Sequence, residues 1–230
     1  MRFAAEQLAR VRAEWHEMVE HPFLTRTRDG TIPFDTFANW IRQDFIFAEA
    51  SIPFVSLLLA KAPETHRAAH LGVLSMLQKE LELFRERATA VGVDIGNVVP
   101  SFANHAYIQF LHATAYRETY ACGYTVLYVA EKAYHDSWRG VLCGIDRASP
   151  WFPFVENWGG VSFAGYVAHL EVELDALAAH AGTLERARMA ELFELTMRYE
   201  LAFWEMAWSG EGWPRASRAA GAHTLPGARG

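Results

Sequence analysis

Apolar residues recur at helical spacing along almost the whole chain. Over residues 3–20 they stand close to the 3.6-residue period of an α-helix, at Phe3, Leu8, Val11, Trp15 and Val19. The chain shows no alternating strand pattern of useful length and no internal repeat. The periodicity therefore predicts an all-α helical bundle.

Proline and glycine positions divide the first half of this pattern. A second helix is predicted from about Phe34 to Lys61, with a kink at Pro53. Residues 63–91 form a predicted third helix that ends at the Gly92 turn.

The second half is divided in the same way. One helix is predicted to begin near Ser101 or Asn104, and Gly123 is expected to interrupt or bend the stretch that precedes residue 131. The aromatic segment 150–160 is predicted to be a structured loop, and Ser162 is the expected N-cap of a helix that runs to about Ala181. Residues 184–208 form the last predicted helix. We expect a single domain over 1–213 and a flexible tail rich in Gly, Ala and Pro over 214–230.

Three acidic residues interrupt the apolar faces of the predicted helices: Asp44, Glu131 and Glu200. Each has aromatic residues at helical spacing, as Asp44 has Phe37 and Trp40. A buried carboxylate is costly unless it is paired or hydrogen-bonded. Each acid alone could cap or bridge helices, but the three together favour one shared ligand pocket.

Composition narrows the class of protein. The chain has 230 residues, 51% of them hydrophobic, and a net charge of −6, which is typical of a globular protein and unsuited to a nucleic acid partner. Two cysteines are too few for a disulfide framework or a cysteine metal cluster. The charged N-terminal segment lacks a secretory apolar region, and no apolar stretch approaches the roughly 18 residues that span a bilayer. We expect a cytoplasmic protein with no membrane partner.

The chain contains three distinctive blocks: HPF…DGTIPFDTFANWIRQDFIF at 21–47, NHAY at 104–107 and YELAFWEMAW at 199–208. In this order they resemble the TenA/thiaminase II family, and the resemblance covers about residues 5–213. It implies a haem-oxygenase-like helical bundle, a homo-oligomer (tetramer or dimer), a buried pyrimidine site, and no metal or other cofactor.

The chain departs from the best-known branch of that family, which carries a nucleophilic Cys in the helix that here reads TVLYVAEKAYHDSW. Cys122 lies nine residues before Glu131 and Cys143 twelve after it, so neither fits that position, which falls at or beside Glu131. The chain resembles a second branch that uses Glu there. This implies hydrolysis of aminopyrimidine fragments of thiamine, including an N-formylated form, in a salvage pathway, rather than thiamine cleavage through a thiolate.

The residue types suit this chemistry. Asp44 would orient an aminopyrimidine ring by accepting a hydrogen bond from its amino group, between aromatic walls supplied by Phe47, Tyr107, Tyr134 and Trp158. Glu131 and Glu200 are the predicted acid–base pair, with pKa values separated by burial and mutual repulsion. The sequence leaves open which is acid and which is base.

Two alternatives stay open. One is a non-enzymatic ligand-binding or regulatory protein, and the other is a metal-dependent oxidase like the PQQ-biosynthesis proteins of this fold. Di-iron bundles use Glu-x-x-His, whereas Glu131 and His135 are four residues apart, as are His169 and Glu173, so we predict no metal site.

Several other residues receive structural assignments. Glu80 and Glu82 alternate with leucines and are predicted to be solvated or capping residues. Glu205 is predicted to be structural, and Trp204 and Trp208 to belong to the core or to a subunit interface.

Overall fold

A computed structural model describes residues 2–214, which form ten α-helices and no strand. All of the predicted tail except Pro214 lies outside the described residues. The helices are α1 Phe3–Arg10, α2 Arg12–Val19, α3 Pro22–Arg28, α4 Phe34–Lys61, α5 Glu64–Val91, α6 Phe102–Arg117, α7 Tyr120–Leu142, α8 Phe152–Gly159, α9 Val161–His180 and α10 Thr183–Ser209. The predicted all-α class is confirmed.

Helix α7 is the centre of the bundle. It packs against α3, α6, α8, α9 and α10, and its buried residues cover most of its circumference. A helix that is surrounded in this way must be apolar on nearly every side. The carboxyl group of Glu131 on α7 is therefore an exception that needs a local explanation.

Helix α4 packs on α5, α6 and α10 and forms the second wall of the core. Contrary to the sequence expectation, it is long and apolar enough to span a membrane by length and composition, with a mean hydropathy of 1.4 over an 18-residue window. In the bundle, 39% of that window is buried, and its buried residues include Phe54, Val55 and Leu58, so part of the apolar surface of α4 belongs to the core. Pro53 lies inside α4, which continues past it to Lys61.

Two predicted helix boundaries were wrong. Residues 3–20 form two helices rather than one, because α1 packs on α9 whereas α2 packs on α7 and α10. Gly123 lies within α7, and the break falls earlier, where Thr119 caps the helix by accepting a hydrogen bond from the Cys122 N–H at 3.3 Å. Gly123 instead allows a close approach to α4, since a Cβ there would collide with Leu58.

The predicted loop at 150–160 is largely helix α8. Its buried residues Phe154, Val155 and Trp158 lie at helical spacing and face the core, and Pro153 is in the first turn, where a missing N–H costs nothing. Gly159 lets α8 approach α7, because a Cβ there would lie 2.8 Å from the carbonyl oxygen of Trp138. The N-cap of α9 is Gly160 rather than the predicted Ser162.

Candidate active site

A partly open cavity lies between α4, α5, α6, α7, α8 and α10, with about 70 Å³ of space for the centres of water-sized molecules. Asp44, Glu131 and Glu200 all contribute to its lining, although they come from three different helices. Its aromatic surface comes from Phe47, Phe54, Tyr134 and Trp158. The structure thus brings the three acids and three of the four predicted aromatic wall residues to one place.

Glu200 on α10 is almost fully buried, with 2% of its surface exposed. Burial raises the pKa of its carboxyl group to about 8, the hydrogen bond from Tyr107 opposes the rise, and the charge of Asp44 adds to it. Tyr107, the fourth predicted wall residue, does not line the cavity. It lies behind Glu200 and donates its hydroxyl hydrogen to Glu200 Oε1 at 2.5 Å. Tyr107 can therefore position Glu200 but does not present its ring to a ligand in the cavity.

Asp44 on α4 is held beside Tyr134 of α7. Burial raises its pKa well above the usual range, the hydroxyl group of Tyr134 opposes that rise, and the charge of Glu80 adds to it. Tyr134 is itself fixed, because its oxygen accepts a hydrogen bond from Trp40 Nε1 at 3.0 Å and its ring stacks on Trp204 at 5.4 Å between centroids. The predicted core role of Trp204 agrees with this position behind the cavity wall.

Glu131 on α7 accepts a hydrogen bond at Oε1 from the hydroxyl group of Tyr166 on α9, at 3.2 Å. Burial raises the pKa of Glu131 to about 8, the charge of Glu80 adds to the rise, and Tyr166 opposes it. Tyr166 was not among the predicted site residues, and its position six residues after the N-cap of α9 carries no signal of a site.

Glu80 on α5 is a correction to the sequence analysis, which made it a solvated or capping residue. Its side chain lines the cavity, and Glu80 Oε1 accepts a hydrogen bond from Trp158 Nε1 at 3.1 Å. Burial raises the pKa of Glu80 to about 7, and the bond from Trp158 opposes the rise. The available signal was spacing, since Leu77 and Phe84 lie three and four residues away on the same buried face of α5. Glu82 is exposed as predicted.

The expected separation of the pKa values of Glu131 and Glu200 is not found, because burial raises both to about 8. The reason is that their surroundings are alike: each carboxyl group is enclosed by apolar side chains and receives one phenol hydrogen bond, from Tyr166 or Tyr107. Among residues 2–214, no Lys, Arg or His lines this cavity. The described part of the site therefore has acidic groups that can hold or release protons near neutral pH and no cationic side chain to balance them.

The cysteines and histidines lie elsewhere. Cys122 is buried outside the cavity lining, where burial raises the pKa of its thiol, and Cys143 is exposed. His135 Nδ1 donates to the carbonyl oxygen of Trp158 at 2.8 Å, so the ring serves to hold α8 on α7. Within residues 2–214, no cluster of three or more His, Cys, Asp or Glu side chains is arranged to hold a metal ion. Glu205 lies at the surface and pairs with His21 at 3.2 Å, away from the cavity.

Comparison with known proteins gives matches that cover most of the chain. The family model of the TENA/THI-4/PQQC family matches residues 8–210. A "probable bifunctional TENA-E protein" of Glycine max is 26% identical over 87% of this chain and 90% of its own length. An aminopyrimidine aminohydrolase of Bacillus subtilis is 24% identical over 93% of this chain and 92% of its own length.

Solved structures agree with the family match. A TenA homologue from Pyrococcus furiosus has a TM-score of 0.86 and 30% identity, covering 90% of this chain and 100% of that one. A domain with a haem-oxygenase-like fold from Shewanella denitrificans has a TM-score of 0.70 at 12% identity, covering 90% of this chain and 92% of that one, which bears on the fold alone. The chain has the haem-oxygenase-like fold and belongs to the TENA/THI-4/PQQC family.

Proposed function

We propose that this protein hydrolyses aminopyrimidine fragments of thiamine in a salvage pathway. The observation that carries the proposal is the convergence of Asp44, Glu131 and Glu200 on one aromatic-walled cavity. A buried carboxyl group costs stability, so several in one cavity favour a chemical role over a structural one. Relatives over nearly the full length that are named aminopyrimidine aminohydrolase support the choice of substrate.

The cavity suits a flat heteroaromatic ring. The rings of Phe47, Tyr134 and Trp158 offer apolar faces against which a pyrimidine can pack, while Asp44 can accept a hydrogen bond from its exocyclic amino group. The contacts of Tyr134 with Trp40 and Trp204 hold its side chain in place before a ligand arrives. A rigid wall lowers the entropic cost of orienting the substrate.

The proposed reaction needs one proton removed and one supplied. Water loses a proton to a carboxylate, its oxygen forms a bond to the methylene carbon, and the carbon–nitrogen bond breaks with its electron pair leaving on nitrogen. A protonated aminomethyl group leaves as ammonia, which takes up the proton that the carboxylate received from water, so the products are the hydroxymethyl pyrimidine and ammonium. For an N-formyl substrate, water instead adds to the formyl carbon, the carboxyl group passes its proton to the leaving amine, and formate forms.

Glu131 and Glu200 are the residues we assign to these proton transfers. With pKa values raised to about 8 by burial, each can be protonated or ionised near neutral pH. Tyr166 and Tyr107 hold the two carboxyl groups in fixed orientations. The assignment of acid and base to the two residues stays open.

Turnover by the purified protein tests the proposal. Without added metal, the protein should release amine from an aminomethyl-pyrimidine or formate from its formylaminomethyl form, faster than a heat-inactivated control. Glu131→Gln and Glu200→Gln should each lower turnover about 10²–10⁴-fold while ligand binding persists. Glu49→Gln, at an exposed position of α4, is the matched control and should behave as wild type.

Three results would contradict the proposal. Normal turnover by both cavity Gln variants would make these acids structural. Binding without conversion by the wild-type protein would favour the regulatory alternative. Rapid cleavage of thiamine itself would mean that thiamine, rather than its aminopyrimidine fragments, is the substrate of this cavity.

Two further properties stay predictions. We expect a homo-oligomer, and the strongly exposed apolar side chains of Val161 and Leu184 support a buried interface. Light scattering on the purified protein would distinguish a monomer from a dimer or tetramer. The placement of α4 in the core is compatible with the expected cytoplasmic protein.

A further inference from the structure

The fourth carboxyl group of the cavity, that of Glu80, has no part in the reaction proposed above. It projects from α5 on the same face as Leu77, Leu81 and Phe84, which are all buried. Its Oε1 atom accepts a hydrogen bond from the indole N–H of Trp158, whose side chain is also buried. Glu80 is therefore held at the cavity wall in a defined orientation, unlike the exposed Glu82 of the same helix.

Glu80 faces the same space as Glu131 and Asp44, because all three side chains line the cavity. The indole of Trp158 that holds Glu80 lies 5.5 Å between centroids from the ring of Tyr134, which follows Glu131 by three residues on α7. A negative charge on Glu80 raises the pKa of both Glu131 and Asp44. We refer to Glu80 and Glu131, with Asp44 beside them, as the acidic end of the cavity. If Glu131 transfers a proton at the carbon–nitrogen bond that breaks, Glu80 lies close to the leaving nitrogen.

Within residues 2–214, no cationic side chain lines this acidic end. Among the described residues of the cavity, a carboxylate at Glu80 would therefore lack a charged partner. Burial raises the pKa of Glu80 to about 7, and the neutral side chains of Trp158 and Asn157 oppose the rise. A ligand with a positive charge at this end would supply the missing partner.

We infer that Glu80 is a specificity-determining residue that selects substrates whose leaving nitrogen is a protonated primary amine. An aliphatic amine is protonated at neutral pH, and its N–H groups form strong charge-assisted hydrogen bonds to carboxylates. An N-formyl or hydroxymethyl group carries no charge, and its binding would leave the Glu80 carboxylate unpaired. The inference rests on the proposed function, because it concerns the choice among that enzyme's pyrimidine substrates.

Glu80→Gln tests the inference, since glutamine keeps the size of the side chain and can still accept the hydrogen bond from Trp158. For the aminomethyl-pyrimidine, kcat/KM should fall about 10- to 100-fold, mainly through a higher KM. For the formylaminomethyl form, it should change less than about 3-fold. The ratio of the two values is the quantity to compare, because an effect transmitted through Glu131 would act on both substrates. Glu82→Gln is the matched control on α5 and should leave the ratio unchanged.

Binding to the wild-type protein gives a test that needs no variant. Calorimetry should show tighter binding of the aminomethyl-pyrimidine than of the hydroxymethyl form at pH 8, by about 10-fold or more. The preference should disappear at pH 5.5, where Glu80 is protonated and the amine keeps its charge. Glu80→Gln should show little preference at either pH.

The outcomes separate the two proposals. If wild-type protein converts neither substrate, the proposed function fails, and the binding preference alone decides the role of Glu80. If wild-type protein is active but Glu80→Gln leaves both the kcat/KM ratio and the binding preference unchanged, the inference about Glu80 is overturned and the proposed function stands. An equal fall for both substrates would also overturn selection by charge.

Discussion

Replacement of Glu200 by glutamine should make the protein more stable at alkaline pH, even though it removes a proposed catalytic group. In the folded protein, burial raises the pKa of Glu200 from 4.5 to about 8. Below pH 4.5 the carboxyl group is protonated in the folded and unfolded chains alike. Between pH 4.5 and 8 the unfolded chain releases the proton more readily, so the free energy of unfolding falls as pH rises. Glutamine does not ionise and avoids this loss.

The magnitude follows from the two pKa values. At about 1.4 kcal/mol for each tenfold change in proton affinity, a rise from 4.5 to about 8 corresponds to at most about 5 kcal/mol. Asp44 interacts with Glu200, so the two groups share this penalty, and we expect a gain of about 1–3 kcal/mol for Glu200→Gln at pH 9. At pH 5 the variant should be no more stable than wild type, since the protonated glutamate carries little penalty there.

Urea unfolding at pH 5 and pH 9 measures this difference directly. Wild-type protein should lose more stability between the two pH values than Glu200→Gln does, and Glu49→Gln should parallel wild type. Equal pH dependence in wild type and Glu200→Gln would refute the reasoning, because it would mean that Glu200 titrates normally in the folded protein. Measurement without ligand is essential, since a bound ligand would add its own pH-dependent stabilisation.

Three further variants probe the site. Cys122→Ser combined with Cys143→Ser should leave turnover largely intact, because neither thiol lines the cavity. Complete inactivation of a folded double variant would instead support a thiolate mechanism. Tyr107→Phe removes a hydrogen bond that lowers the pKa of Glu200. The limb of the pH–rate profile that depends on Glu200 should therefore move to higher pH by about 1–2 pH units. An unchanged profile would exclude this coupling. Asp44→Ala should weaken pyrimidine binding as well as turnover, as measured by calorimetry, and unchanged affinity would remove Asp44 from ring orientation.

The fold and three of the acids could be predicted because the apolar residues of a helix recur with a 3.6-residue period that is visible in the sequence. Asp44, Glu131 and Glu200 each interrupt an apolar face whose other members are buried, so the exception stands out against a regular pattern. Helix α8 was missed for a related reason. It is short, and its proline and flanking glycines are typical of loops, although Pro153 in a first turn is compatible with a helix.

Other parts of the site depend on which helix faces meet, and local spacing does not encode that. Glu80 and Glu82 look equivalent beside Leu81 and Leu83, and spacing from Leu77 and Phe84 places only Glu80 on the buried face of α5. Spacing does not show that this face meets α4 at the cavity. Tyr107 and Phe47 look equally suited to a wall, but Tyr107 lies behind Glu200. Burial raises the pKa values of both Glu131 and Glu200, and a phenol donor on another helix opposes each rise. One of these donors, Tyr166, has no sequence signal.

The distribution of the cavity over six helices has a consequence for biosynthesis. Asp44 precedes Glu200 by 156 residues, and α10 is translated after every other helix described here. Chains grow from the N-terminus at about 5–20 residues per second, so α4 leaves the ribosome several seconds before α10 can cover it. During that interval the long apolar helix α4 is still in contact with solvent and can aggregate. The carboxyl groups likewise keep ordinary acidity until α10 docks, so the nascent chain acquires its buried acids and its complete core in the same final step.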